Sequence, residues 1–180
     1  MAYTLDAFCH DSRACLAAHP DQIGRNNLRG LLEKLLADQA FLKQHVLSAP
    51  PGRHTIYEDP DHKFCVLVHV NEAAGKSPPH DHGKSWAIYG QATGYTDMTE
   101  YNRTDGSGGA GKAVIDLTKS YRLEPGKVGL YDVGVIHAID YPEGARFVRV
   151  TGEDLERVPR LKFDTDTHQA IVIESASANA

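Results

Sequence analysis

With 180 residues, 41% of them hydrophobic, and a formal net charge of -5, the chain suits one domain with a real core. It carries no Lys/Arg-dense run, which argues against a nucleic-acid surface. Cys9, Cys15 and Cys65 are odd in number and form no CxxC pair, which argues against a disulfide framework or a structural cysteine–zinc site.

In chain order, the first element expected is a short helix over 11–18, stopped by His19-Pro20, with a weak apolar face because Ala14, Ala17 and Ala18 bury little. A second helix is predicted from Asn26 to about Leu47, where Leu28, Leu31, Leu32, Leu35, Leu36 and Leu42 recur at three- and four-residue spacing. Asn26 or Asn27 is its expected cap and Ala49-Pro50-Pro51-Gly52 its stop. After Gly52 the apolar period shortens to that of a strand. Strands are predicted at 64–70, 86–89, 95–101, 113–117, 128–131 and 145–150, and a further one opens at Ile136-His137. His62 reads as a turn residue, and Gly106 to Gly111 as a turn without the lysine and helix of a phosphate loop.

Many short strands with glycine-rich punctuation predict a sandwich or barrel rather than βαβ units. The expected organisation is a helical region at 1–51, a metal-binding β-barrel at 52–152 and an extension at 153–180, whose tail from 175 to 180 is expected to fray. The opening residues lack a basic stretch followed by an apolar run, and no apolar stretch approaches a bilayer span. A cytoplasmic protein with no membrane partner, monomeric or homodimeric, is the expectation.

The most informative stretch runs from Gly75 through Pro78-Pro79 to His80-Asp81-His82-Gly83. In extended backbone, side chains at i and i+2 share a face, so His80 and His82 project together while Asp81 points away. Two imidazoles at that spacing can reach one divalent metal near 2 Å. A third ligand must come from elsewhere, and His137, after the glycine turn at Gly134, is the best candidate, with Asp140 as an acceptor behind it.

These motifs resemble the cupin superfamily. Gly75, His80 and His82, with Gly90 or Gly94 following, match its first motif, and Asp132-x-Gly134-x-x-His137 its second. Tyr57-Glu58-Asp59-Pro60, Phe64 and the run HDHGKSWAIYG at 80–90 look like the cysteine dioxygenase-type branch, over roughly Gly52 to Gly152. The resemblance implies a mainly β double-stranded β-helix with N-terminal helices. It also implies a mononuclear non-haem Fe(II) held by His80, His82 and His137, and dioxygenation of a thiol to a sulfinic acid. The usual cupin glutamate would fall at Trp86 or Ala87, neither of which is a ligand. Three imidazoles also suit nickel, zinc or manganese. The branch's carboxylate-binding arginine aligns with His54, with Arg53 adjacent, and a one-residue shift in a strand reverses the facing. Its histidine–tyrosine pair aligns with Arg149 and Thr151, and its crosslinking cysteine is missing.

Arg149 alternates with Val148 and Val150 and shares a face with Phe147; on an interior face it would need an anion such as a substrate carboxylate. Tyr89 and Tyr95 are candidate hydrogen-bond donors to substrate or oxygen, and Trp86 a residue that shapes the pocket. His69, Tyr131 and Asp132 are candidates to support the ligands from behind. The functional expectation is an iron dioxygenase acting on a small thiol carboxylate with O2. Its alternatives are a same-fold metal enzyme on a non-thiol molecule and a small-molecule binding barrel without turnover.

Overall fold

In the computed structural model, which describes residues 2–175, Thr4 opens the first helix by accepting a hydrogen bond from the Ala7 amide at 3.2 Å. Helix α1 therefore spans Leu5–Ala18, longer than expected, and buries Phe8, Cys9, Ser12 and Leu16 rather than the alanines. Asp21 caps α2 (Gln22–Leu36) through the Ile23 and Gly24 amides, so Asn26 and Asn27 lie within the helix. The single helix expected to reach Leu47 is broken at Ala37-Asp38. Asp38 restarts it, accepting from the Phe41 amide at 2.9 Å while its other oxygen holds the Tyr3 amide. A short α3 (Gln39–Phe41) and a π-helical turn (Leu42–Leu47) follow. Arg146 donates to the carbonyls of Val46 and Leu47 at 2.7 and 2.8 Å, satisfying the free end of that turn.

The strands are β1 (Gly52–Glu58), β2 (Cys65–Val70), β3 (Gly75–Lys76), β4 (Ala87–Thr93), β5 (Thr96–Arg103), β6 (Gly111–Lys112), β7 (Ile115–Leu123), β8 (Val128–Tyr131), β9 (Ile136–Tyr141), β10 (Arg146–Thr151), β11 (Arg160–Asp164) and β12 (Gln169–Ile173). One antiparallel sheet runs β1-β2-β10-β4-β8 and faces a second, β3-β9-β5-β7. From β2 to β5, and again from β7 to β10, successive strands alternate between the two sheets. That winding is the cupin-type double-stranded β-helix, with the helices N-terminal to it.

Side-chain parity divides the first sheet into two faces. Val66, Val68, Ile88, Val148 and Val150 look outward and share one apolar cluster with Phe8, Leu28, Leu32, Leu36 and Val46 of the helices. Full burial of such a side chain contributes about 1.5–3 kcal/mol. Gly90 permits the close approach of α2, because a Cβ there would sit 2.6 Å from Leu36 Cδ1. The inward positions, Ala87, Tyr89 and Phe147, pack with Met98, Leu123 and Tyr131 inside the barrel.

The extension beyond β10 is more than a tail. β11 and β12 form a hairpin that also pairs with β6, so the glycine-rich turn ends in a short strand. Ser175, the first residue of the tail expected to fray, is buried, and residues 176–180 lie outside the described residues. Among the described residues no helix is long and apolar enough to cross a membrane.

Candidate metal centre

His80 and His137 face each other as a hydrogen-bonded antiparallel pair, each amide donating to the other's carbonyl at 2.9 Å. That pairing places their side chains on one face, and the i, i+2 rule adds His82. Ring centroids lie 4.8 Å apart for His80–His137 and His82–His137, and 5.5 Å for His80–His82. One ring nitrogen from each comes within 4.8 Å of the others, and the group contains no Asp, Glu or Cys. Gly83 turns the chain out of the site at φ +60°, where a Cβ would strike the Pro159 carbonyl oxygen at 2.2 Å.

The electrostatics suit neutral ligands. His82 and His137 are 1% and 0% exposed, and burial, then the neighbouring imidazoles, pushes both well below the ordinary histidine range. Burial also lowers His80, partly opposed by its Nδ1 bond to the Pro78 carbonyl at 2.9 Å. A carbonyl only accepts, so Nδ1 carries the proton and Nε2 keeps a lone pair for the site. All four ring nitrogens of His82 and His137 are buried without a hydrogen-bond partner. Such atoms are costly, and a metal cation satisfies one on each ring. The residues present therefore fit a single divalent metal held by three imidazoles.

Behind His137, the Tyr131 ring lies at 4.2 Å. The Tyr131 hydroxyl bonds Tyr121 at 2.8 Å, and Tyr121 donates to Glu100 at 2.8 Å. Glu100 in turn sits opposite His137 in the β5–β9 register. His69 stands apart from the metal group, stacked on Phe147 at 4.5 Å. Asp132 pairs with Arg25 of α2 at 2.9 Å, and Asp140 is exposed on β9, so neither supports an imidazole. Asp81 does point away: its Oδ1 accepts from the Gly83 amide at 3.0 Å and the Leu161 amide at 2.9 Å.

A cavity of about 220 Å³ opens over His80 and His82, and Arg149 lines it, on the interior face shared with Phe147. Its guanidinium lies 5.9 Å from the centre of the Tyr89 ring, which is itself 5.5 Å from His137. Strand parity separates the two carboxylate-binding candidates: Arg53 reaches the cavity and pairs with Glu156 at its rim, whereas His54 turns out to the Pro50 carbonyl at 2.8 Å. Tyr95 lies elsewhere, half-buried beneath Arg122 at 3.5 Å. Trp86 packs in the outer apolar cluster with Phe64 and Val150, so it does not shape the cavity. Thr151 is buried on β10 with its hydroxyl unpartnered.

Four cavity residues of the extension were not anticipated: Leu155, Arg160, Lys162 and Ile173. The hairpin is clamped to the ligand segment by Phe163 N to Pro79 O at 2.8 Å and Asp81 N to Leu161 O at 3.0 Å. Its sequence signal is the alternation Arg160-Leu161-Lys162-Phe163, followed by a polar turn and Ala170-Ile171-Val172-Ile173.

No known family's sequence profile and no curated protein matches the chain. Among solved structures, it is similar to the cupin domain of Schizosaccharomyces pombe Cnp3, at 12% identity and TM-score 0.45, over 59% of this chain and 66% of that one. It is also similar to KdgF from a Halomonas species, at 14% identity and TM-score 0.42, over 55% of this chain and 76% of that one. The DMSP lyase DddQ of Ruegeria pomeroyi DSS-3 gives 17% identity and TM-score 0.42, over 58% of this chain and 48% of that one. These likenesses are partial, and the fold stands on the strand order.

Proposed function

We propose that this protein is a mononuclear non-haem Fe(II) dioxygenase that oxidises a small thiol carboxylate to a sulfinic acid with O2. The observation that carries the reading is the convergence of three neutral imidazoles, with no carboxylate among them, beneath a cavity bearing guanidinium groups. His80, His82 and His137 would hold iron(II), which would supply the redox chemistry for the reaction with dioxygen. The imidazoles offset none of the ion's charge, which favours an anionic thiolate as substrate donor. Arg149 holds a substrate carboxylate in the same cavity, in the fork geometry that guanidinium and carboxylate share. Tyr89 and Tyr131 back the imidazoles with aromatic surface and keep water from their far side.

The test is iron analysis of protein purified without oxygen, followed by oxygen-uptake measurements over a panel of small thiols. One iron per chain is expected, with none retained in His82→Ala, and oxygen consumption with at least one thiol carboxylate. Stoichiometric iron with no oxygen consumed on any thiol would overturn the thiol reading and direct attention to a non-thiol substrate.

A further inference from the structure

The cavity over the imidazoles has the opposite sign to the rest of the chain. Arg53, Arg149, Arg160 and Lys162 line it and no acidic side chain does, in a protein of formal charge -5. Glu156 pairs with Arg53 at the rim. Arg149 and Arg160 come from different elements, β10 and β11, and among the described residues neither is paired with a carboxylate. Arg149 Nε is buried without a partner, and Arg160 donates only to the Leu155 carbonyl. Burial, then the charges of Arg149 and Arg53, pushes Arg160 below its usual range, with Glu156 opposing.

One carboxylate saturates one guanidinium fork. Glu156 is the one carboxylate near Arg160, and it is already paired with Arg53, so the two partly buried forks of Arg149 and Arg160 are costly and a single monoanion leaves one of them unmatched. We propose that this cavity selects a small organic dianion of the dicarboxylate class, with its two carboxylates shared among Arg149, Arg160 and Arg53. Leu155 and Ile173 supply apolar wall for the carbon chain between the charges. At about 220 Å³ the cavity is smaller than the roughly 300–1,000 Å³ typical of drug-sized ligands, which favours a short chain. Joined to the thiol reading above, on which it rests only for the reacting group, the substrate is a thiol bearing two carboxylates. The field of the unpaired cations also draws such an anion in, an effect that salt weakens.

The test needs neither iron nor turnover. Calorimetric titration of the full-length, metal-free protein at low salt compares succinate with butyrate, which has the same carbon chain and one fewer charge. Succinate is expected to bind at least about tenfold more tightly, the scale of one charge-assisted hydrogen-bonded contact. Arg160→Met should remove that preference by weakening succinate at least about tenfold while leaving butyrate within about twofold. Arg160→Lys, which keeps the charge but loses the fork, should fall between them, and far-UV circular dichroism checks that both variants fold. Equal affinity for the two acids, no binding of either at millimolar concentration, or equal weakening of both by Arg160→Met overturns the proposal. The two readings fail separately. Preferential succinate binding without oxygen uptake on any thiol sinks the dioxygenase and leaves the dianion site. Oxygen uptake as fast with monocarboxylate thiols as with dicarboxylate ones does the reverse.

Discussion

The N-terminal helices and the C-terminal hairpin pack on the same barrel to opposite effect. The helices bury Phe8, Leu28, Leu32 and Leu35 completely against the outer face of the first sheet and place nothing in the cavity. The hairpin leaves Ile171 and Val172 43% and 40% exposed, yet delivers Arg160, Lys162 and Ile173 to the site. Apolar burial makes the first region a store of stability. The second buries only Phe163 and Ala170 against Ala113 and Ile136, and backbone hydrogen bonds tie it to the ligand segment. Stability and substrate recognition are thus assigned to different additions to one barrel.

The sharpest way to break that division is Leu32→Ala, which opens a cavity between α2 and β4. It should cost about 3–4 kcal/mol in urea unfolding while the folded fraction keeps its iron stoichiometry and succinate affinity. Altered affinity would show that the helices reach the site after all. Next in size is Asp59, in the turn between β1 and β2, which ties α1 to the sheet. Its carboxylate has no exposed surface and accepts from Arg13, Tyr57 and the amides of Asp61 and His62. Asp59→Ala strands these donors and should cost about 3 kcal/mol, again with the site intact.

Burial pushes Asp59 upward, but the hydrogen bonds from Arg13, His62, Tyr57 and Asp61 outweigh it and hold its pKa at about 2. The folded value lies below the unfolded one of about 3.9. Its contribution is therefore complete above about pH 5 and lost as pH falls towards 2. Asp59→Asn should flatten that acid limb of the stability curve, and an unchanged limb would place the acid sensitivity elsewhere.

The same contrast explains what was legible in the sequence. The three histidines could be read because strand parity and a glycine turn fix their facing without knowledge of the rest of the chain. Parity also placed Arg149 on the face of Phe147. Applied to residues 86 and 89, an odd number apart, it puts Trp86 on the face opposite Tyr89, which is where Trp86 packs. Tyr95 precedes its strand at the Gly94 turn, φ +68°, where facing is not set by alternation. The leucine repeat gave the second helix its face but not its ends, because the caps are single polar side chains, Asp21 and Asp38, that leave the apolar period undisturbed. The hairpin was missed since its alternation is short and Ile171 and Val172 remain in water. Two of the cavity's four cations, Arg160 and Lys162, went with it.

The smallest effect expected tests how that hairpin is held. Asp81 Oδ1 accepts the Leu161 amide beside the reciprocal bond from the Asp81 amide to the Leu161 carbonyl. Asp81→Ala removes one such acceptor and should cost only about 1 kcal/mol of global stability. Hydrogen exchange should nonetheless quicken in residues 160–164, because local opening there no longer breaks the side-chain bond. Succinate affinity should fall with it, since Arg160 is positioned only while β11 stays docked. Asp81→Asn keeps a carbonyl acceptor and should restore most of both. If exchange quickens but succinate binding holds, Arg160 does not depend on the docked hairpin and the assignment of recognition to that region fails. If neither changes, the backbone bonds of Phe163 to Pro79 and of Asp81 to Leu161 are enough to hold the cavity wall.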